Sequence, residues 1–115
     1  MKYIVRITDS AETDLNSAVD YIEFNLLNPQ AADNLLDCVE GAFKKLSDAP
    51  QIHALVDDPV LNAWGIRFVT VNNYMAFFRI DERSKIVYIV RFLYGKRNWI
   101  DILKNVPSSM DDYSD

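Results

Sequence analysis

The chain has 115 residues, half of them hydrophobic and 12% aromatic, and a formal net charge of −5. That length fits one domain with a real core and leaves no room for two. No apolar run approaches the roughly 18–20 residues needed to cross a bilayer, and the net acidity argues against a general nucleic-acid binder.

The opening stretch from Met1 to Ile7 is too short and too polar for a secretory leader. Its alternation, with Tyr3, Val5 and Ile7 against Ile4 and Arg6, predicts a first strand over residues 2–8. Thr8, Asp9 and Ser10 follow as N-cap candidates. Leu15, Ala18, Val19, Ile22 and Leu26 then recur at three- and four-residue steps, which predicts an amphipathic helix to about Leu27. Glu12, Asp14, Asp20 and Glu23 occupy its other face. Asn28-Pro29 is a break and a restart, because Asn suits the N-cap and Pro the first helical position. A second helix is expected to about Ser47, with Ala32, Leu35, Leu36, Val39, Ala42, Phe43 and Leu46 on its apolar side. So short a link between two such helices predicts an antiparallel helical hairpin. Cys38 reads as a small core residue of the second helix. As a single cysteine it excludes an internal disulfide framework and fits a reducing cytoplasm.

Residues 48–63 read as a loop, with room for a short turn of helix, around Pro50, His53 and Asp57-Asp58-Pro59. His53 lacks the further ligands a metal site needs, and nothing places a nucleophilic serine beside it. Strands are expected over Ile66–Val71, Tyr74–Ile80 and Ile86–Leu93. Asn72-Asn73 supplies a tight hairpin turn and Asp81–Lys85 a polar loop. The last strand is apolar on both faces apart from Arg91, the pattern of a central strand covered on both sides. Gly95 ends it, and Asn98 is placed to cap a short helix from Trp99 to Lys104. The order is β-α-α-β-β-β-(α), an α+β fold with a helical hairpin packed on one curved sheet. Residues 1–105 form the single domain, and the acidic tail 106–115 is expected to fray.

Charge is unevenly distributed. Residues 1–66 hold four basic and eleven acidic side chains, whereas residues 67–105 hold eight basic and three acidic. The C-terminal half can therefore face an anionic partner although the whole chain is acidic. The chain carries no P-loop, dinucleotide fingerprint, paired cysteines or His-rich metal spacing. Arg91, Tyr94, Lys96 and Arg97 cluster at the end of the last strand, with Arg67 and Arg79 on the strands before it. Arginine presents a planar fork of donors that fits phosphate. A charge in an apolar strand such as Arg91 must reach water or find a partner, so an ion pair with an acid of the helices is the competing reading.

The stretch Val90-Arg91-Phe92-Leu93-Tyr94-Gly95-Lys96-Arg97-Asn98-Trp99 resembles the last strand and turn of RelE/ParE toxins, also called plasmid stabilisation proteins. Gly65-Ile66-Arg67-Phe68, Val71-Asn72-Asn73-Tyr74 and Phe77-Phe78-Arg79-Ile80 look like that family's first β-hairpin, and Asn28-Pro29-Gln30-Ala31-Ala32 fits its helical hairpin. The resemblance covers residues 2 to about 104. It implies a bacterial, cytoplasmic toxin of a type II toxin–antitoxin module that inhibits growth. A cognate antitoxin from an adjacent gene would neutralise it, with no cofactor, metal or membrane involved and self-association allowed.

The family divides into two activities. RelE-like members cut messenger RNA on the ribosome without a metal, and ParE-like members poison DNA gyrase through protein contacts. The turn arginine of the cleaving pattern falls on Arg97, but its hairpin arginine falls on Met75 and its C-terminal tyrosine near Leu103. The leading expectation is a ParE-like toxin that acts by binding, with Arg79, Lys96 and Trp99 in its contact surface. A RelE-like endoribonuclease would instead use Arg67, Arg91, Tyr94 and Arg97 as its catalytic set. A non-toxic relative that keeps only partner binding is the third reading.

Overall fold

Thr8 is where the chain turns from its first strand into its first helix. Strand β1 (Ile4–Ile7) ends there, and the Thr8 N–H donates to the Ile89 carbonyl at 3.0 Å. The Thr8 hydroxyl donates to the same carbonyl at 2.8 Å and accepts from the Ala11 N–H at 3.3 Å. One buried side chain thus fastens β1 to the last strand and caps helix α1 (Asp9–Asp20). The structure, a computed structural model, describes residues 2–105. The tail expected at 106–115 lies outside the described residues.

The expected first helix is two pieces. After α1 the chain widens into a π-helical turn, Tyr21–Asn25, in which the Leu26 N–H reaches back to the Tyr21 carbonyl at 3.0 Å. A π-turn adds one residue, which rotates everything after it by about 100° around the axis. Leu26 therefore leaves the apolar stripe and is 56% exposed, contrary to its periodicity. Leu27 then takes a left-handed φ of 52°. Helix α2 (Pro29–Asp48) starts as the sequence predicts, with the Asn28 side chain accepting from the Ala31 N–H at 3.1 Å and Pro29 in the first turn.

Two readings of α2 need correction. Cys38 and Leu36 were expected in the core and both are exposed. The buried stripe of α2 is Ala32, Leu35, Val39 and Leu46. At about 100° per residue, Leu36 and Cys38 fall to either side of that stripe, beyond the reach of the sheet.

Residues 48–63 form the expected loop with short helical turns in it, a 3-10 turn (Pro50–Ile52) and helix α3 (Pro59–Ala63). Asp58 caps α3 by accepting from the Leu61 N–H at 3.1 Å. Gly65, at φ 78°, turns the chain into β2 (Arg67–Val71). β3 (Tyr74–Asp81) and β4 (Ile86–Tyr94) complete an antiparallel meander, with Asn72 at φ 55° in the first turn. The sheet order is β1-β4-β3-β2, with β1 parallel to β4. Helix α4 (Trp99–Lys104) closes the described chain. The expected Asn98 cap is not made, because its amide donates to the Asp101 carboxylate at 2.7 Å instead of leaving its oxygen on the helix N–H groups.

β4 is central, as its two apolar faces require. Val87, Ile89 and Phe92 pack under α1 and α2 with Phe78, Ala76, Leu35, Val39 and Leu46. Val90 and Leu93 point the other way, onto Phe77, Leu61 and Leu103 beneath α3 and α4. Phe77 and Phe78 are adjacent and serve opposite faces, the two-residue period of a strand. A bulge breaks the β3–β4 register there. Arg91 pairs with Phe77 and Ile89 with Phe78, leaving Val90 without a partner on β3.

Candidate functional site

β1 accompanies β4 only as far as Ile89. Beyond that point the edge of β4 has no strand beside it, and α1 fills the place. Asp14 on α1 accepts the otherwise unpaired Phe92 N–H at 3.0 Å. It also takes both Arg91 donors, Nε at 2.6 Å and Nη2 at 2.9 Å. The bulge re-aims Arg91 toward this carboxylate. The side chains of Arg91 and Asp14 are 20% and 12% exposed. Hydrogen bonds to Asp14 raise the Arg91 pKa further above its ordinary value, against the opposing effect of burial. The ion pair offered by the sequence as the competing reading of Arg91 is the one that forms.

Arg67 is also engaged. Its Nη1 donates to the carbonyls of His53 at 2.6 Å and Gln51 at 3.3 Å, so it holds the segment after the 3-10 turn. Partial burial, then the Arg67 charge, lowers the His53 pKa below its ordinary 6.5. Arg79 lies over the Tyr88 ring, 5.1 Å from its centroid. The Trp99 ring is half-buried against Phe77, with centroids 5.2 Å apart, and anchors the start of α4.

Tyr94, the last residue of β4, and Lys96 and Arg97 in the turn after it are different, because all three are exposed. The turn is set by two backbone bonds, Gly95 N–H to the Asn73 carbonyl at 2.9 Å and Arg97 N–H to the Tyr94 carbonyl at 3.0 Å. Gly95 suits that close approach, since a Cβ there would sit 3.3 Å from the Asn73 oxygen. Tyr94 meets Tyr74 edge-on at 5.7 Å, and Tyr74 stacks on Phe92 at 5.0 Å. Burial, then the neighbouring Tyr94 and Tyr21, raises the Tyr74 pKa.

These tyrosines border two hollows. A shallow cleft of about 270 Å³ is lined by Thr70, Asn72, Met75, Gly95 and Lys96 together with Asn73, Tyr74 and Tyr94. A larger groove of about 610 Å³ lies between the hairpin tip and the β2–β3 turn. Asn73, Tyr74 and Tyr94 belong to both; the groove adds Tyr21, Ile22, Leu26, Asn28 and Ala31. Sequence reasoning missed the groove. Its signal was present, because Tyr21, which lines it, is a large aromatic residue off the predicted stripe of the first helix. Among the described residues no group of three or more His, Cys, Asp or Glu side chains could hold a metal ion. Among them, too, no helix is long and apolar enough to cross a membrane.

The fold has known counterparts. A chain of the RelBE2 toxin–antitoxin complex from Mycobacterium tuberculosis matches with a TM-score of 0.58 and 25% identity, over 82% of this chain and 99% of that one. A chain of the chromosomal ParDE system from P. aeruginosa matches with a TM-score of 0.65 over 81% of this chain and 96% of that one; at 22% identity it speaks for the fold alone. No curated protein matches. The family model described as the ParE toxin of the type II toxin–antitoxin system parDE matches residues 5–99. With the match running from β1 through the basic turn to the start of α4, the chain belongs to the ParE toxin family of type II toxin–antitoxin systems.

Proposed function

We propose that this toxin arrests growth by binding its target, DNA gyrase, through the turn at Tyr94, Lys96 and Arg97, and that an antitoxin from an adjacent gene neutralises it. The observation that carries this reading is the content of the cleft beside that turn. Metal-free RNA cleavage needs a base for the ribose hydroxyl, cations for the charge that develops on phosphorus, and an acid for the leaving oxygen. The cleft offers Lys96 as its one ionic side chain, and the thioether of Met75 stands where the cleaving pattern has an arginine. Of the set Arg67, Arg91, Tyr94 and Arg97 that a ribonuclease would draw on, Arg67 is held by backbone carbonyls and Arg91 by Asp14, which leaves Arg97 as its one exposed arginine. An exposed basic turn beside tyrosines is instead a contact surface, since aromatic and arginine side chains are the usual anchors of protein interfaces. On this reading the toxin acts in the cytoplasm, where its target lies.

Expression without the antitoxin gene is the test. Growth should stop and DNA-damage signalling should rise while messenger RNA stays intact. Arg97→Ala should relieve the arrest without lowering the melting temperature. Rapid cleavage of ribosome-bound messenger RNA by the protein would overturn the binding mechanism, and unimpeded growth would overturn the toxicity.

A further inference from the structure

The face of the sheet turned away from α1 and α2 is only half covered. Helices α3 and α4 pack over Phe77, Val90 and Leu93. The other half, where β1 and β4 start and β3 ends, is open: Ile4 is 57% exposed there and Arg6 is exposed beside it. Strand alternation puts Ile4, Arg6, Arg79, Ile86 and Tyr88 on this face, because Val5, Ile7, Phe78, Ile80, Val87 and Ile89 between them pack under the helical hairpin.

Three of these residues form one row across three strands. Arg6 is the register partner of Tyr88, and Tyr88 is that of Arg79. At the usual strand spacing the two arginine backbones stand roughly 10 Å apart with the ring between them. The Arg79 guanidinium lies over that ring, 5.1 Å from its centroid. Arg6 makes no salt bridge among the described residues. The acids at the margin are committed elsewhere. Asp81 accepts from the Arg83 and Ser84 N–H groups at 3.1 and 3.4 Å, and Glu82 accepts from the Tyr3 hydroxyl at 2.7 Å and the Gln51 amide at 3.0 Å.

The chemistry of the row selects an occupant. A guanidinium fork fits phosphate, and its plane and a tyrosine ring both stack on a nucleobase. An acidic peptide would use the forks and leave the aromatic surface idle. A duplex keeps its base faces inside its own stack, so the row favours a single strand. The net charge of −5 does not oppose this, since most acidic side chains of residues 1–66 lie on α1 and α2, behind the sheet.

We infer that this open half-face holds a short single strand of nucleic acid, one base stacked on the Arg79–Tyr88 pair and the flanking phosphates on Arg6 and Arg79. The surface is distinct from the basic turn. Tyr88 and Tyr94 are six residues apart on β4, about 20 Å along the strand. The inference is therefore independent of the target proposed above.

Fluorescence anisotropy of a labelled oligothymidine, titrated with the full chain in low salt, provides the test. Arg6→Ala and Arg79→Ala should each weaken binding about tenfold and lower the slope of log affinity against log salt by about 0.7. Tyr88→Phe keeps the ring and should stay within about twofold of the parent, whereas Tyr88→Leu should lose about tenfold. Lys44→Ala, which removes a charge from the helical side, should change binding less than about twofold. A duplex of the same length should bind at least about tenfold more weakly. No binding in low salt, a duplex held as tightly as the single strand, or a loss caused by Arg97→Ala in place of Arg6→Ala each overturns the assignment. Growth arrest is a separate readout, so the toxin reading stands under any of these results.

Discussion

Arg91 and Arg97 are the same residue type, six positions apart in one basic stretch, and they meet opposite surroundings. Arg91 is gripped by both oxygens of Asp14 and is mostly buried. Arg97 stands exposed in a turn fixed by backbone hydrogen bonds. The difference is set by what lies across from each. Where β1 stops, α1 brings a carboxylate against the open edge of β4, and a charge there becomes part of the framework. Past Tyr94 no element of the described chain supplies such a partner to Lys96 or Arg97 within salt-bridge distance. A basic cluster in a sequence is therefore not one functional unit, and its members are sorted by their neighbours.

The sharpest way to break that comparison is to remove Asp14. Asp14→Ala would leave a mostly buried guanidinium and the Phe92 N–H without their acceptor. It should cost roughly 2–4 kcal/mol in chemical denaturation. A loss below about 0.5 kcal/mol would mean that Arg91 is as free as Arg97.

A smaller effect is expected at Asp58, which ties α3 to α4 through Lys104 at 3.1 Å. The Leu61 N–H, assisted by Lys104, lowers the Asp58 pKa below its ordinary value near 3.8. The folded state thus favours the ionised form. Its contribution is fully present above the unfolded pKa and is lost as pH falls through the depressed folded one. Acid titration of stability should show a decline below about pH 4 that Asp58→Asn reduces. An unchanged acid limb in that variant would remove Asp58 from the account.

The smallest change in stability belongs to the turn. Lys96→Ala and Arg97→Ala should each shift unfolding by less than about 0.5 kcal/mol. If either destabilises as Asp14→Ala does, the turn is framework and the proposed contact surface is wrong.

Much of the fold was legible in the residues because it is local. Three- and four-residue spacing marked both helices, Asn28-Pro29 the joint between them, and two-residue alternation the strands. The predicted bounds of α4, Trp99–Lys104, match those observed. The apolar faces of β4 announced a central strand, though not that β1 would lie parallel beside it. The π-turn was not legible, since hydrophobic spacing assumes a constant helical step and Leu26 fits that step while the backbone abandons it.

Of the candidate site, the sequence by itself determined the inventory: a basic, tyrosine-bearing turn closing an apolar strand, on an α+β frame of a toxin family. Only the tertiary structure decided which members are available. The Asp14–Arg91 pair spans 77 residues, and the groove is assembled from the hairpin tip, the β2–β3 turn and the end of β4. Periodicity reports which side of an element is apolar. It does not report which distant side chain will stand opposite, and for a charge that opposite neighbour decides between framework and function.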